Sequence, residues 1–305
     1  MKVLVTGGAG FIGEAVTRLL LEAGHEVTII DDLSLGHQDA VPPKVRFIKA
    51  DITNPGAIHH AVAGQHAVVH LAAQAVVPDS VANPQKAFNI NLVGGQNLLE
   101  SMRTQKVPNL IYASSAAVYG KPKRTPIAES DPTVPLTPYG ATKLAFEHLV
   151  EAYHASYGLN AVMFRFFNPY GPNERHHPET HAIPNFINAS LTGKPVPLHW
   201  NGRQMRDFFY VDDIARAHVM ALRSSGLHTY NLGSGSANSV RDVVDMIFKL
   251  AGHDTGIDDL GERKGDSPTL LADIQKAQKE LRWRPETSLA DGLELTVQAF
   301  RKRLR

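Results

Sequence analysis

Met1-Lys2-Val3-Leu4-Val5-Thr6-Gly7-Gly8-Ala9-Gly10-Phe11-Ile12-Gly13 opens the chain, and its reading decides the fold. Val3, Leu4 and Val5 form a short continuous apolar run, the pattern of a strand buried on both faces. Glycines follow at once. Apolar residues at helical spacing come next (Phe11, Ile12, Val16, Leu19 and Leu20), ending at Gly24. A second strand pattern, Glu26 to Ile30, closes on Asp31-Asp32. Strand, tight turn, helix and strand make the unit of a parallel sheet.

The glycines fit Gly8-x-Gly10-x-x-Gly13 and also Gly7-x-x-Gly10-x-x-Gly13. They let the chain turn tightly and let a pyrophosphate approach the backbone, while the helix start offers free N–H groups and partial positive charge. A bare glycine pattern is weak. Here a strand precedes it, a helix follows it, and an acidic pair ends the next strand, which is the context the motif requires. The plainer reading is a strand–helix turn with incidental glycines. A carboxylate at Asp31 can accept hydrogen bonds from ribose hydroxyls and would repel a 2′-phosphate. No arginine at positions 31–36 offsets that, so NAD is expected rather than NADP.

The alternation continues with strands at Val45–Ile48, Ala67–Leu71, Leu110–Ala113 and Ala161–Phe167, and with helices at Asn91–Met102 and Tyr139–Tyr157. In open parallel sheets the ligand sits at the carboxyl ends of the strands, and chemistry-bearing residues cluster there. After Asn168 the texture changes, with Pro169, Gly171, Pro172, Pro178 and Pro184 breaking the pattern. The expected architecture is α/β: a Rossmann-type doubly wound parallel sheet over residues 1–170 and a smaller C-terminal α/β substrate-binding cap over 171–305. Segments near 207–233 are expected to return to the first part.

The 305 residues agree with about two domains. Lys plus Arg number 31 and Asp plus Glu 30, a net charge of +1 that argues against a dedicated nucleic-acid binder. The absence of cysteine removes disulfides, Cys-based zinc, iron–sulfur clusters and thiol nucleophiles. No apolar run is long enough for a membrane span. The opening reads as strand and turn, since a signal peptide needs a longer apolar stretch. A cytoplasmic protein is expected. His176, His177 and His181 have no obvious carboxylate partner, and Pro178 disfavours a helix through them, so no metal site is expected. His59-His60 and the basic end Arg301–Arg305 read as solvated helix surface.

Pro138-Tyr139-Gly140-Ala141-Thr142-Lys143 opens a helix, with Thr137 as N-cap and Pro138 in the first turn. Tyr139 and Lys143 then stack one turn apart. A free tyrosine ionises near pH 10, and nearby positive charge from Lys143, a nicotinium ring or the helix start would bring it toward neutrality. Any Tyr-x-x-x-Lys is common by chance, an aromatic core residue beside a surface lysine. Ser114 and Ser115 end the strand before it, where a hydroxyl could bridge substrate and phenolate, or merely satisfy a turn.

Together these residues resemble the extended short-chain dehydrogenase/reductase family, and within it the nucleotide-sugar epimerases of the UDP-glucose 4-epimerase kind. The resemblance runs through 6–13, Asp51-Ile52, 70–73, 114–120, 138–143, 165–172, 206–213, 230–233 and 263–266. It implies an NAD-dependent epimerase acting through transient oxidation at C4 and a 4-keto sugar, with Ser115, Tyr139 and Lys143 catalytic. It implies cofactor contacts at Gly7, Gly10, Phe11, Ile12, Gly13, Asp31, Asp32, Asp51, Ile52, Leu71, Ala72, Ala73, Asn91, Tyr139, Lys143 and Phe167. Ser115, Asn168, Arg206, Arg263 and Asp266 are implied to hold a nucleotide sugar, the arginines at its diphosphate. A homodimer through the helices at Asn91–Met102 and Tyr139–Tyr157 is implied as well.

The family's 4,6-dehydratases carry Asp-Glu after the serine, and decarboxylating relatives a Glu; here Ala116-Ala117 can move no proton. Three positions depart from the epimerase pattern: His199-Trp200, Gln74-Ala75, and Leu270 at the sugar-pocket gate. The nucleoside, the sugar and the acceptance of N-acetyl groups stay open. So do a uronic-acid epimerase, a reductase, and a non-catalytic NAD-sensing protein on the same fold.

Overall fold

The computed structural model describes residues 1–175, 181–262 and 267–304. Strand β1 (Lys2–Thr6) carries Val3, Leu4 and Val5 with no exposed surface. The chain turns at Gly7, where φ is +72° and a Cβ would stand 2.6 Å from the Ala72 nitrogen. Helix α1 (Phe11–Glu22) begins shortly after this turn. Its Gly13 lies so close to the turn that a Cβ would meet the Gly7 carbonyl oxygen at 2.1 Å. Only glycine lets helix and strand approach this nearly.

Strand β2 (Glu26–Asp31) pairs parallel to β1 with Lys2 opposite Glu26 and Thr6 opposite Ile30, and β3 (Arg46–Lys49) pairs with β2. Helix α2 (Pro55–Val62) starts where the Asn54 side chain accepts from the Gly56 and Ala57 nitrogens. Strand β4 (Ala67–His70) returns to the other side of β1. Short helices α3 (Val77–Ala82) and α4 (Pro84–Phe88) follow, then a wide turn with i→i+5 bonding, Asn89–Gly94, and α5 (Gly95–Thr104). The expected helix at Asn91–Met102 thus begins inside this turn and runs on to Thr104. Just after this turn Gly95 passes the Phe146 ring so closely that a Cβ there would lie 2.3 Å from it.

Strand β5 (Asn109–Ser115) runs into a 3-10 turn, Ala116–Tyr119. Helix α6 (Pro138–Tyr157) starts with the Thr137 hydroxyl accepting from the Gly140 nitrogen at 3.2 Å and ends at left-handed Gly158. After β6 (Asn160–Phe166) come β7 (Asn168–Tyr170), α7 (Ala182–Leu191), β8 (Val196–Leu198), β9 (Met205–Arg206) and β10 (Phe208–Tyr210). Helix α8 (Val211–Ala221) and β11 (Leu227–Leu232) precede β12 (Asn238–Ser239), α9 (Val240–Ala251), β13 (Ile257–Asp259), β14 (Thr269–Leu270) and α10 (Leu289–Arg303).

Seven parallel strands form one sheet in the order β11-β6-β5-β4-β1-β2-β3. Successive residues feed opposite faces, as strand geometry requires. Val3, Val5, Val69, Ile111 and Phe164 join a core under α1 and α8, while Leu4, Val68, Leu110, Tyr112 and Met163 join a second core under α2, α5 and α6. A third core, built from α7, α9, α10 and strands β7, β8 and β10, lies beyond the carboxyl ends of the sheet strands. No helix of the described residues is long and apolar enough to cross a membrane. Strand β1 has β2 on one side and β4 on the other, so the strand order reverses there and opens a crevice at its carboxyl end.

Candidate active site

A cavity opens in that crevice. It is lined by Gly7, Gly10, Phe11, Ile12 and Gly13 from the turn, Asp31 and Asp32 from the end of β2, and Asp51 and Ile52 after β3. Leu71, Ala72 and Ala73 after β4 continue the wall, and Tyr139 and Lys143 close its far end. Asn91 lies behind the wall: its amide accepts from the Gln74 nitrogen at 2.7 Å and donates to Thr142 Oγ1 at 3.0 Å. Phe167 packs into the core under α1, with its neighbour Phe166 at the cavity wall.

Asp31 is fixed by its own backbone surroundings. Its two oxygens accept from the Ala9 nitrogen at 3.0 Å and the Leu33 nitrogen at 2.8 Å. Burial pushes its carboxyl above the usual range, and these two bonds pull it back. Gly10 caps α1 without any side-chain bond, so the first N–H groups of the helix are free to meet an anion. A carboxylate at one end, a glycine cradle at the middle and a buried Tyr–Lys pair at the other end fit an extended dinucleotide.

Lys143 is 3% exposed. Its Nζ donates to the Ala113 carbonyl at 2.8 Å and lies 5.8 Å from the Tyr139 ring centre. Burial pulls its pKa down to about 7, with Glu147 opposing. Burial likewise raises Tyr139 above its ordinary range, and a hydrogen bond with Ser115 pulls the other way. A charged Lys143 and a bound cation are therefore what Tyr139 needs to ionise. His70, hydrogen-bonded to Thr6 Oγ1 at 2.7 Å, is kept neutral by burial, its pKa lowered to about 3. Strand alternation separates the two serines. Ser114 Oγ donates to the Glu147 carboxylate at 2.5 Å, while Ser115 stands beside Tyr139 and accepts from the Ala117 nitrogen at 3.2 Å.

A second cavity adjoins the first, sharing His181 with it. Asn168, Asn185, Leu198, His199, Arg206 and Phe208 are among its walls. Asn168 Nδ2 donates to the Asp207 carbonyl at 3.1 Å, and Arg206 Nη1 to the carbonyls of Met205 and Ser267, each at 2.9 Å. Leu270 pairs with Arg206 across β14 and β9. Trp200 and Asn201 take left-handed backbone conformations just after His199. Arg263 and Asp266, and with them His176 and His177, lie outside the described residues. No cluster of metal-ligating side chains occurs among the described residues.

The sequence reading set His181 aside for want of a carboxylate partner, noted Gln74 only as a departure from the epimerase pattern, and passed over Glu147. His181 lines both cavities and is hydrogen-bonded to buried Glu174, Gln74 lines the first, and Glu147 lies beneath Lys143. Glu147 alone carried a legible signal. It follows Tyr139 and Lys143 at the same four-residue spacing, on the face of α6 that the pair already assigns to the interior.

Residues 3–233 match the NAD dependent epimerase/dehydratase family. A UDP-glucose 4-epimerase of Corynebacterium glutamicum is 40% identical over 303 residues, covering 94% of this chain and 91% of that protein. Among solved structures, UDP-glucose 4-epimerase of Thermotoga maritima with UDP-glucose superimposes with a TM-score of 0.97 at 33% identity, covering 100% of both chains. The Thermus thermophilus UDP-glucose 4-epimerase in complex with NAD gives 0.93 at 37% identity, covering 99% of each.

Proposed function

The chain belongs to the NAD dependent epimerase/dehydratase family, and on that premise we propose that it interconverts UDP-glucose and UDP-galactose. The observation that carries this reading is one constellation. Tyr139 and Lys143 line the first cavity, Ser115 stands beside Tyr139, and the residues after Ser115 are Ala116-Ala117, which can move no proton. A dehydratase needs an acid and a base at that turn; an epimerase does not.

The turn at Gly7 to Gly13 and the start of α1 hold the cofactor's pyrophosphate, Asp31 its adenosine ribose, and Lys143 its nicotinamide ribose. NAD, when bound, would supply a reversible acceptor for the C4 hydride, so no second redox substrate would be consumed. Tyr139 as phenolate takes the C4 hydroxyl proton and later returns it. Lys143 as ammonium stabilises that phenolate, and Ser115 orients the hydroxyl or passes its proton. Asn168 and Arg206 hold the nucleotide end of the substrate, with Arg263 and Asp266 assigned to the same task. Binding energy is thus spent far from the reacting carbon, and the sugar keeps the freedom to present either face.

We divide the chain into a cofactor part, 1–170 with 207–233 returning to it, and a cap from the remainder of 171–305. The separate third core supports this division. A homodimer through the outer faces of α5 and α6 is part of the proposal. Tyr157 is 60% exposed there, stacked edge-on with Tyr153 and covered by Arg103. The balanced charge and cysteine-free composition support a cytoplasmic location.

The test is to incubate the protein with UDP-glucose, UDP-N-acetylglucosamine and UDP-glucuronate without added NADH and to resolve the products by chromatography. UDP-galactose is expected from the first, with no net change in absorbance at 340 nm. Conversion of only another sugar nucleotide, or a requirement for NADH, would overturn the assignment.

A further inference from the structure

Beneath the reacting side chains lies a charged cluster that the reaction so far leaves unused. Glu147 sits on α6 one turn beyond Lys143 and is 1% exposed. Its Oε1 accepts from Ser114 Oγ at 2.5 Å and from Arg165 Nε at 3.0 Å, and its Oε2 from Arg165 Nη2 at 2.6 Å. Arg165 Nη1 reaches on to Tyr119 Oη at 2.9 Å and the Glu129 carbonyl at 3.3 Å. A buried ion pair adds little stability over an apolar pair of equal volume, so stability is a weak reason for it.

Its position supplies a better one. Two side chains of α6 grip two consecutive residues at the end of β5. Lys143 takes the Ala113 carbonyl and Glu147 takes the Ser114 hydroxyl. The next residue is Ser115, beside Tyr139.

We propose that Glu147, fixed by Arg165 and Ser114, is a positioning residue for the reaction: it locks the end of β5 onto α6 so that Ser115 meets Tyr139, and it sets a negative charge beneath Lys143. The inference rests on the roles assigned above to Tyr139, Lys143 and Ser115. The charge matters because burial drives Lys143 toward its neutral form, and the Glu147 carboxylate opposes that. The other groups facing Lys143 are Tyr139 on its own helix, Tyr112 on β5 with its ring centre 5.0 Å away, and neutral His70 on β4. Behind Glu147 stand Arg165, Tyr119 and Glu129, with Arg165 positive and Tyr119 held neutral by burial.

Glu147→Gln keeps the shape and removes the charge. Lys143 then loses its proton at lower pH, and the unneutralised Arg165 pushes the same way. The alkaline limb of the kcat profile should move down by about one pH unit, with KM for UDP-glucose and bound NAD unchanged. Glu147→Asp, which keeps the charge, should return the limb to its wild-type position. A purely structural role would lower kcat or Tm and leave the limb in place.

If Glu147→Gln does not fold, Ser114→Ala decides. It keeps every charge and cuts the tether, so kcat should fall on the order of tenfold with the limb unmoved. A wild-type limb in Glu147→Gln, or wild-type kcat in Ser114→Ala, overturns the proposal. Full activity in Tyr139→Phe would instead overturn the reading beneath it, whatever Glu147 does.

Discussion

Ser114 and Ser115 differ by one position on β5 and take opposite sides of it, one on Glu147 and the other beside Tyr139. The sequence shows two serines at a strand end; only the pleat says which turns inward. Tyr139 and Lys143 were legible as a pair because helical spacing fixes their shared face. What the sequence could not show is how dry that face is. Burial, with Glu147 opposing it, brings Lys143 to about pKa 7, so its charge depends on the groups packed around it. Replacing Tyr139 by Phe removes the proposed proton acceptor without touching the cavity wall at Lys143. Turnover should fall by at least about a hundredfold, while the protein stays folded and carries NAD, as measured by cofactor release and absorbance. Asp31 was legible from its place at the end of β2. Its bonds to the Ala9 and Leu33 nitrogens were not, since they depend on the turn geometry.

At the scale of elements, α6 is where local sequence and chemistry agree most closely. Thr137 and Pro138 announce its start, and the Thr137 hydroxyl does accept from the Gly140 nitrogen. Thr137→Ala should cost about 1 kcal/mol of stability. The first turn it loosens carries Tyr139, so kcat should fall while KM stays close to wild type; thermal melting and steady-state kinetics at one pH check both. The helix at residues 89–104 was less legible. Its apolar pattern is continuous, yet the wide turn at Asn89–Gly94 precedes α5, and Gly95 passes close against the Phe146 ring. Such close approaches between elements leave no trace in the periodicity of either one. Strand β11 is a similar case: its pairing with β6 joins Leu227 to Ala161 and Leu232 to Phe166, across a stretch of chain that builds much of the cap.

The whole molecule responds to acid through its buried histidines. Burial lowers the pKa of His70 to about 3 and of His218 to about 4. The unfolded chain, with histidines near 6.5, therefore binds more protons in between. The stability these neutral histidines permit is present above pH 6.5 and declines as pH falls toward 4. Urea midpoints should drop between pH 7.5 and 5.0, and His70→Asn with His218→Asn should flatten that slope. The fold class was legible at this scale because every strand of the first half ends in residues of one site. The cap site was not, since its walls come from short elements whose neighbours are set by the third core.

The return of β11 to the edge of the sheet has one more consequence. A fragment ending at residue 170 would leave β6 as a bare edge, its six residues 161–166 no longer paired on that side. Such a fragment should self-associate, and light scattering would detect it. Adding residues 207–233 in trans should suppress it. The two halves of this enzyme are therefore stitched rather than joined end to end. Recombination that exchanged caps at a single crossover would leave one parent's sheet to be finished by the other's strand.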